Sequence, residues 1–319
     1  ARIVWVANRA RERGLPHCAT LMSSKPGAGI NHKEFGVTSE GIFSWIRVVL
    51  PLIGITGRQP YSIKITGGPD GDLGGNLLKI LHREHAARVR VVAISDGTGS
   101  AVDPQGLDWR ELLRLVREGK GIAAFDAAKL SPLSRKAGAQ VVPATDRAGE
   151  QLRNNLHNTV VADLFVPCGG RPNSINDGNW QEFLREGKPT AKAMIEGANI
   201  FVTPLARRSL EDAGLLVIKD SSANKGGVIC SSYEVLAGLV LDDAEFISIK
   251  PAFIAEVVSI IRARAESEAK ALIAAWKRRA GQVRLADLSQ QLSVEINRVS
   301  GLIEPHIAEH LADKDLQST

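Results

Sequence analysis

The stretch Ser62–Asn76, reading Ser-Ile-Lys-Ile-Thr-Gly-Gly-Pro-Asp-Gly-Asp-Leu-Gly-Gly-Asn, constrains this chain more than any other. It predicts a β-strand with Ile63 and Ile65 on one face, a glycine-rich turn, and a helix whose apolar positions are Leu77, Leu78, Ile80 and Leu81. Gly67, Gly68, Gly71, Gly74 and Gly75 allow a tight turn and close approach of the backbone to a ligand. A helix start leaves N–H groups unpaired at the positive end of the helix dipole, which suits a diphosphate. The spacing Gly68-x-x-Gly71-x-x-Gly74 departs from G-x-G-x-x-G, so the loop alone also fits a plain tight turn. The following strand, Arg88 to Ser95, ends in Asp96-Gly97, 22 positions beyond Gly74. An acid there is placed to accept from a ribose 2′-OH; a turn aspartate before Gly97 is the plainer alternative. Strand, glycine loop, helix, strand and acid together predict a dinucleotide site.

Beyond this unit, strands are expected at Ala139–Pro143, Val160–Val166, Lys192–Ile195 and Leu215–Ile218, with helices between them. The alternation predicts an α/β fold: a doubly wound, mostly parallel, Rossmann-like sheet with extra N- and C-terminal helices. In such sheets ligands bind at the carboxyl ends of the strands. The glycine loop, Asp96, Cys168-Gly169-Gly170, Glu196-Gly-Ala-Asn199 and Asn224 all fall there. A helix is expected to start near Thr38 or Ser39, whose hydroxyls could cap it. Pro251 is expected to open a long helix, and a second carries Leu285, Leu288, Leu292, Ile296 and Val299. The expected organisation is an N-terminal helix and linker over 1–32, a dinucleotide-binding domain over 33–245, and a helical segment over 246–319.

Net charge is +5, with basic residues dispersed among acids rather than gathered in a stripe, which argues against nucleic-acid binding. No apolar run reaches membrane-span length; Phe43–Ile55 is broken by Arg47, Pro51 and Gly54. Three cysteines without a CxxC pair fit a reducing cytosol or an organelle matrix, and of these a cytoplasmic location is the expectation. His82 and His85 lie three apart on a helix but lack further metal-ligating neighbours, so no metal site is expected. Neither a Gly-x-Ser-x-Gly elbow nor a P-loop occurs.

Several segments resemble the large-subunit, NAD-specific glutamate dehydrogenases of fungi, some bacteria and protists. They are Gly67-Gly-Pro-Asp-Gly-Asp-Leu-Gly-Gly-Asn76, Val166-Pro-Cys-Gly169, Gly169-Gly-Arg-Pro-Asn-Ser-Ile-Asn176, Glu196-Gly-Ala-Asn199 with Thr203-Pro204, and Asp220-Ser-Ser-Ala-Asn-Lys-Gly-Gly-Val228 running on to Glu234. The likeness covers about Lys33 to Leu236. It implies NAD as cofactor, L-glutamate and 2-oxoglutarate as substrate pair, and a homo-oligomer. Together with Asp96, read above from its spacing, it gives an expected coenzyme set of Thr38, Gly68, Asp70, Gly71, Asp72, Gly74, Asp96, Cys168, Gly169, Asn199 and Asn224. Thr38 matches a threonine that contacts the nicotinamide carboxamide, while Asp72 stands where smaller relatives have asparagine. Val228 and Ser231 match positions touching the amino-acid substrate, Ser231 at its side-chain carboxylate. Plainer roles remain open for Thr38 as a cap, Ser231 as a helix serine and Asn224 as a turn residue.

In that family the catalytic lysine and aspartate precede the nucleotide domain. No glycine-rich lysine motif of that kind occurs in residues 1–32, and Lys25-Pro-Gly-Ala-Gly29 is differently placed. No catalytic residue is therefore expected here. The chain reads as the cofactor-binding portion of a larger enzyme, the alternative being a non-catalytic nucleotide-binding module for regulation or assembly.

Overall fold

The computed structural model describes residues 2–15, 18–21, 23–24 and 27–311; Lys25 and Pro26 of the Lys25–Gly29 stretch lie outside them. Its strands are β1 Tyr61–Thr66, β2 Val89–Asp96, β3 Gly99–Val102, β4 Gln140–Pro143, β5 Ala162–Pro167, β6 Leu184–Arg185, β7 Lys188–Pro189, β8 Ala191–Ile195 and β9 Leu216–Ile218. Its helices are α1 Arg2–Glu12, α2 His32–Phe35, α3 Val37–Val49, α4 Asp72–His85, α5 Trp109–Glu118, α6 Pro132–Lys136, α7 Arg147–Thr159, α8 Pro204–Asp212, α9 Asp220–Ala223, α10 Gly226–Val240, α11 Asp243–Arg278 and α12 Leu285–Leu311.

The main sheet has the order β4-β3-β2-β1-β5-β8-β9, and β6 pairs with β7 in a separate ribbon. Strands β2, β1, β5, β8 and β9 are parallel, as the alternation predicts. The departure is β3, a strand absent from those expected from the sequence. Gly97-Thr98 makes a two-residue hairpin, pairing Asp96 with Gly99, and β3 runs antiparallel to β2. The order reverses at β1: β2 lies on one side and β5 on the other, so the crevice between the ends of β1 and β5 is the topological switch point.

Both faces of the central strands are covered, and Ile63, Ile65, Val91, Ile94, Leu164 and Val166 are buried. Lys64 takes the polar place in β1's alternation, yet it too is buried. Its ammonium donates to the carbonyls of His157 (2.7 Å), Val160 (2.8 Å) and Thr190 (3.1 Å) and to Thr190 Oγ1 (2.7 Å). These acceptors satisfy the charge and close the carboxyl end of α7, where a cation is favoured. Beside it the His157 ring stacks on Phe165, centroids 5.5 Å apart, within an aromatic group that includes Phe183 and Phe201.

Other boundaries differ from expectation for local reasons. Gly36, at φ 63°, ends α2 and directly precedes α3, so Thr38 is a helical residue rather than a cap. Helix α11 begins at Asp243 and carries Pro251 within it, instead of opening there. The stretch His32–Ile53 has mean hydropathy 1.3 over an 18-residue window but is 67% buried, as for a core helix. The chain forms two compact units, Ala1–Lys270 and Ala271–Thr319. In the second, Leu285 and Leu288 are buried whereas Ile296 and Val299 of the same apolar spacing are exposed.

Burial, with the Lys64 ammonium nearby, lowers the His157 pKa from its ordinary 6.5 to about 3. Between those values the unfolded chain binds a proton that the native chain refuses, so acidification erodes stability. Urea denaturation from pH 7 to pH 4 should give the His157→Phe variant a shallower loss than the unmutated chain. The difference should approach about 1.4 kcal/mol per pH unit below pH 6. Parallel pH profiles would refute the assignment.

Candidate nucleotide crevice

The ends of β1 and β5 meet at contact distance. Thr66 Oγ1 donates to the Gly169 carbonyl (2.6 Å), and the Cys168 N–H donates to the Thr66 carbonyl (2.7 Å). A Cβ at Gly67, where φ is +90°, would lie 2.7 Å from Gly169 N, so only glycine fits. Desolvation pushes the neighbouring Cys168 thiol well above its ordinary range, which favours the protonated form.

The loop then turns under itself. Gly71 N–H bonds to the Gly68 carbonyl (3.0 Å), and α4 starts without a side-chain cap. Its first-turn N–H groups thus remain available to an anionic acceptor. Gly74 and Gly75 are packing positions. A Cβ on Gly74 would press on the carbonyl oxygens of Gly67 and Gly68, and one on Gly75 would press on that of Pro69.

A cavity of ≈ 700 Å³ opens at this switch point, lined by residues including Gly68, Asp70, Asp96, Gly169, Arg171 and Phe201. That volume suits a small organic ligand. Asp96 sits against Gly68, where any Cβ would collide with its carboxylate. Asp96 Oδ1 accepts from Thr98 N (2.8 Å) and Thr98 Oγ1 (2.6 Å), and Oδ2 accepts from Ile122 N (2.6 Å). A carboxylate has about four acceptor positions, so one is left for a ligand hydroxyl.

The remaining expected residues form a second group. Asn224 Nδ2 donates to the Gly197 carbonyl (3.0 Å) and to Asn199 Oδ1 (2.5 Å), joining the ends of β8 and β9. The loop bearing Asn199 is anchored by Glu196, whose buried carboxylate receives Nε and Nη2 of Arg207 at 2.5 and 2.8 Å. A Cβ on Gly227 would lie 3.0 Å from Thr38 Oγ1 and 3.4 Å from His32 Nδ1, so the starts of α3 and α10 face each other closely. Ser231 Oγ donates to Ser23 Oγ (3.1 Å) and lies 3.5 Å from His32 Nε2, whereas Val228 is exposed.

Asp72 belongs with neither lining of the switch-point cavity. Its exposed carboxylate lies 3.4 Å from Lys33 Nζ, in the wall of another cavity, ≈ 660 Å³, that also includes His32 and Lys250. Sequence reasoning missed His32, Lys250, Arg153 and Arg171. Arg171 carried a readable signal, since it directly follows the glycine pair at the end of β5. Lys250 carried none, being far from every strand end in sequence and brought in by α11.

A mostly parallel sheet with a glycine-lined crevice at its switch point, an uncapped helix start and an acid closing the second strand defines a Rossmann-type nucleotide-binding domain. The sequence model of the Glutamate/Leucine/Phenylalanine/Valine dehydrogenase family matches residues 28–290, and the chain belongs to that family. It is 38% identical over 316 residues to a "Probable NAD-specific glutamate dehydrogenase" of Schizosaccharomyces pombe, covering 92% of this chain and 28% of that protein. It is 36% identical over 324 residues to the NAD-specific glutamate dehydrogenase of Saccharomyces cerevisiae, covering 93% and 29%. The chain thus spans under a third of the length of these curated relatives. The glutamate dehydrogenase structure from Peptoniphilus asaccharolyticus superposes with TM-score 0.61 at 18% identity, covering 95% of this chain and 62% of that one. That likeness bears on the fold.

The Gly74→Ala substitution should push the loop off α4 and cost about 1–3 kcal/mol, measured as a lower urea midpoint. Unchanged stability would mean that the backbone contact at Gly74 is not tight.

Proposed function

We propose that this chain is the coenzyme-binding portion of an NAD-dependent glutamate dehydrogenase. In that reading the whole enzyme oxidatively deaminates L-glutamate to 2-oxoglutarate and ammonia. The carrying observation is the crevice itself: the β1–β5 switch point, lined by Gly67, Gly68 and Asp96, with the glycine loop running from it into the uncapped start of α4. Family membership and the NAD-specific names of the relatives at 36–38% identity support the coenzyme's identity.

A dinucleotide fits the residues present. The backbone at Gly67, Gly68 and Gly71 has no side chain to stand between it and a diphosphate, and Asp96 retains acceptor capacity for a ribose hydroxyl. When bound, NAD supplies the hydride acceptor. The protein's part is to hold the nicotinamide end near the group formed by Thr38, Asn199 and Asn224, with Ser231 and Val228 beside it for the substrate. The Asn224–Asn199 pair fixes the edges of β8 and β9 so that this end of the crevice keeps its shape. The general base and the clamp on the α-amino acid are expected from other parts of the longer enzyme. A homo-oligomeric assembly and a cytoplasmic location accompany this reading.

The chain alone should bind NADH, read as a fluorescence change or thermal shift, with negligible glutamate turnover. Appreciable turnover by the chain alone would overturn its reading as the coenzyme-binding portion. NADH should bind at least about tenfold more tightly than NADPH, because the Asp96 carboxylate repels a 2′-phosphate. Asp96→Ser should narrow that gap; equal affinity for the two coenzymes in the unmutated chain would remove Asp96 from the role.

A further inference from the structure

The segment that leaves β5 is held unusually firmly. Asn173 N–H donates to the Ile200 carbonyl (2.8 Å), Ile175 N–H to that of Phe201 (3.1 Å), and Thr203 N–H to that of Ile175 (3.0 Å). Within the segment, Ser174 Oγ donates to the Arg171 carbonyl (2.6 Å), Asn179 Nδ2 to the Ser174 carbonyl (2.9 Å) and Asn176 Nδ2 to the Asn173 carbonyl (3.1 Å). Gly170 has φ +139°, and a Cβ there would lie 2.6 Å from the Phe201 ring. Asn173, at φ 57°, holds a left-handed conformation that this bonding maintains.

One charged side chain of this rigid segment stays uncommitted. Arg171 lines the switch-point cavity, is exposed, and has no side-chain hydrogen bond or ion pair among the described residues. The other guanidinium of the lining, Arg153, bonds to Asn154 Oδ1 (3.2 Å) and the Gly97 carbonyl (3.4 Å). Three acceptor positions of the Asp96 carboxylate are taken by Thr98 and Ile122, and none of its partners is Arg171. Arg171 stands two residues beyond Gly169, which packs on Gly67 at the entry to the glycine loop. That loop offers oriented N–H groups but no formal positive charge. A guanidinium's planar fork of donors matches phosphate oxygens.

We infer that Arg171 grips the diphosphate of the bound dinucleotide, supplying from the β5 side the charge that the glycine loop lacks. This rests on the coenzyme reading above. The segment's hydrogen bonds hold the arginine backbone ready, so little order has to be gained on binding. Because the side chain makes no hydrogen bond or ion pair among the described residues, its replacement should leave thermal stability unchanged.

The test is titration of this chain and its Arg171→Gln and Arg171→Lys variants with NADH, ADP-ribose and adenosine at low and high salt. Arg171→Gln should weaken NADH and ADP-ribose about tenfold or more, leave adenosine unchanged, and flatten the salt dependence of NADH binding. Arg171→Lys should recover part of the loss, since it restores charge without the fork. Unaltered NADH affinity in Arg171→Gln, or an equal loss for adenosine, would overturn the assignment. If the unmutated chain binds neither NADH nor ADP-ribose, the coenzyme reading fails and the role of Arg171 fails with it.

Discussion

The crevice depends on the close approach of two backbone ends. Gly67 after β1 and Gly169 after β5 meet where a Cβ on the first would lie 2.7 Å from the nitrogen of the second. Thr66 and Cys168 bond across the same junction. With β2 on one side of β1 and β5 on the other, the connections leave in opposite directions and the space between them stays open above the joint. Side chains at the two glycines would force the strand ends apart and alter the cavity floor.

The joint is supported from below by a polar contact in an apolar layer. Lys64 points away from solvent and bonds to carbonyls at the end of α7 and ahead of β8. Burial depresses its pKa well below the ordinary lysine value, and the four oxygen acceptors are what make a charge tolerable there. The same contact sets the approach of α7, whose Arg153 and Asn154 form part of the cavity wall. A core interaction thereby shapes a surface one.

Much of this was legible from one dimension. Short apolar runs bounded by turn residues identified β1, β2, β5, β8 and β9, because a parallel strand covered on both faces is apolar along nearly its whole length. Glycine spacing and the acid closing β2 located the crevice. Strand β3 was missed because Gly-Ser-Ala-Val is short and small, and becomes a strand only when the Gly97-Thr98 turn lays it against β2. The start of α11 was missed because Pro251 reads as a first-turn proline, whereas the helix has already begun at Asp243.

The sequence by itself determined the order of the elements, the turn at the glycine loop and the gathering of polar residues at strand ends. These follow from local sterics and from a periodicity that any short window contains. Tertiary structure alone decided that Lys64 lies inside, that Asp72 turns toward Lys33 while Asp96 faces the crevice, and that Arg171 lines the cavity from a pinned segment. Each of these outcomes depends on which distant backbone groups come within hydrogen-bonding reach. Such distances arise only once the strands have closed into one sheet.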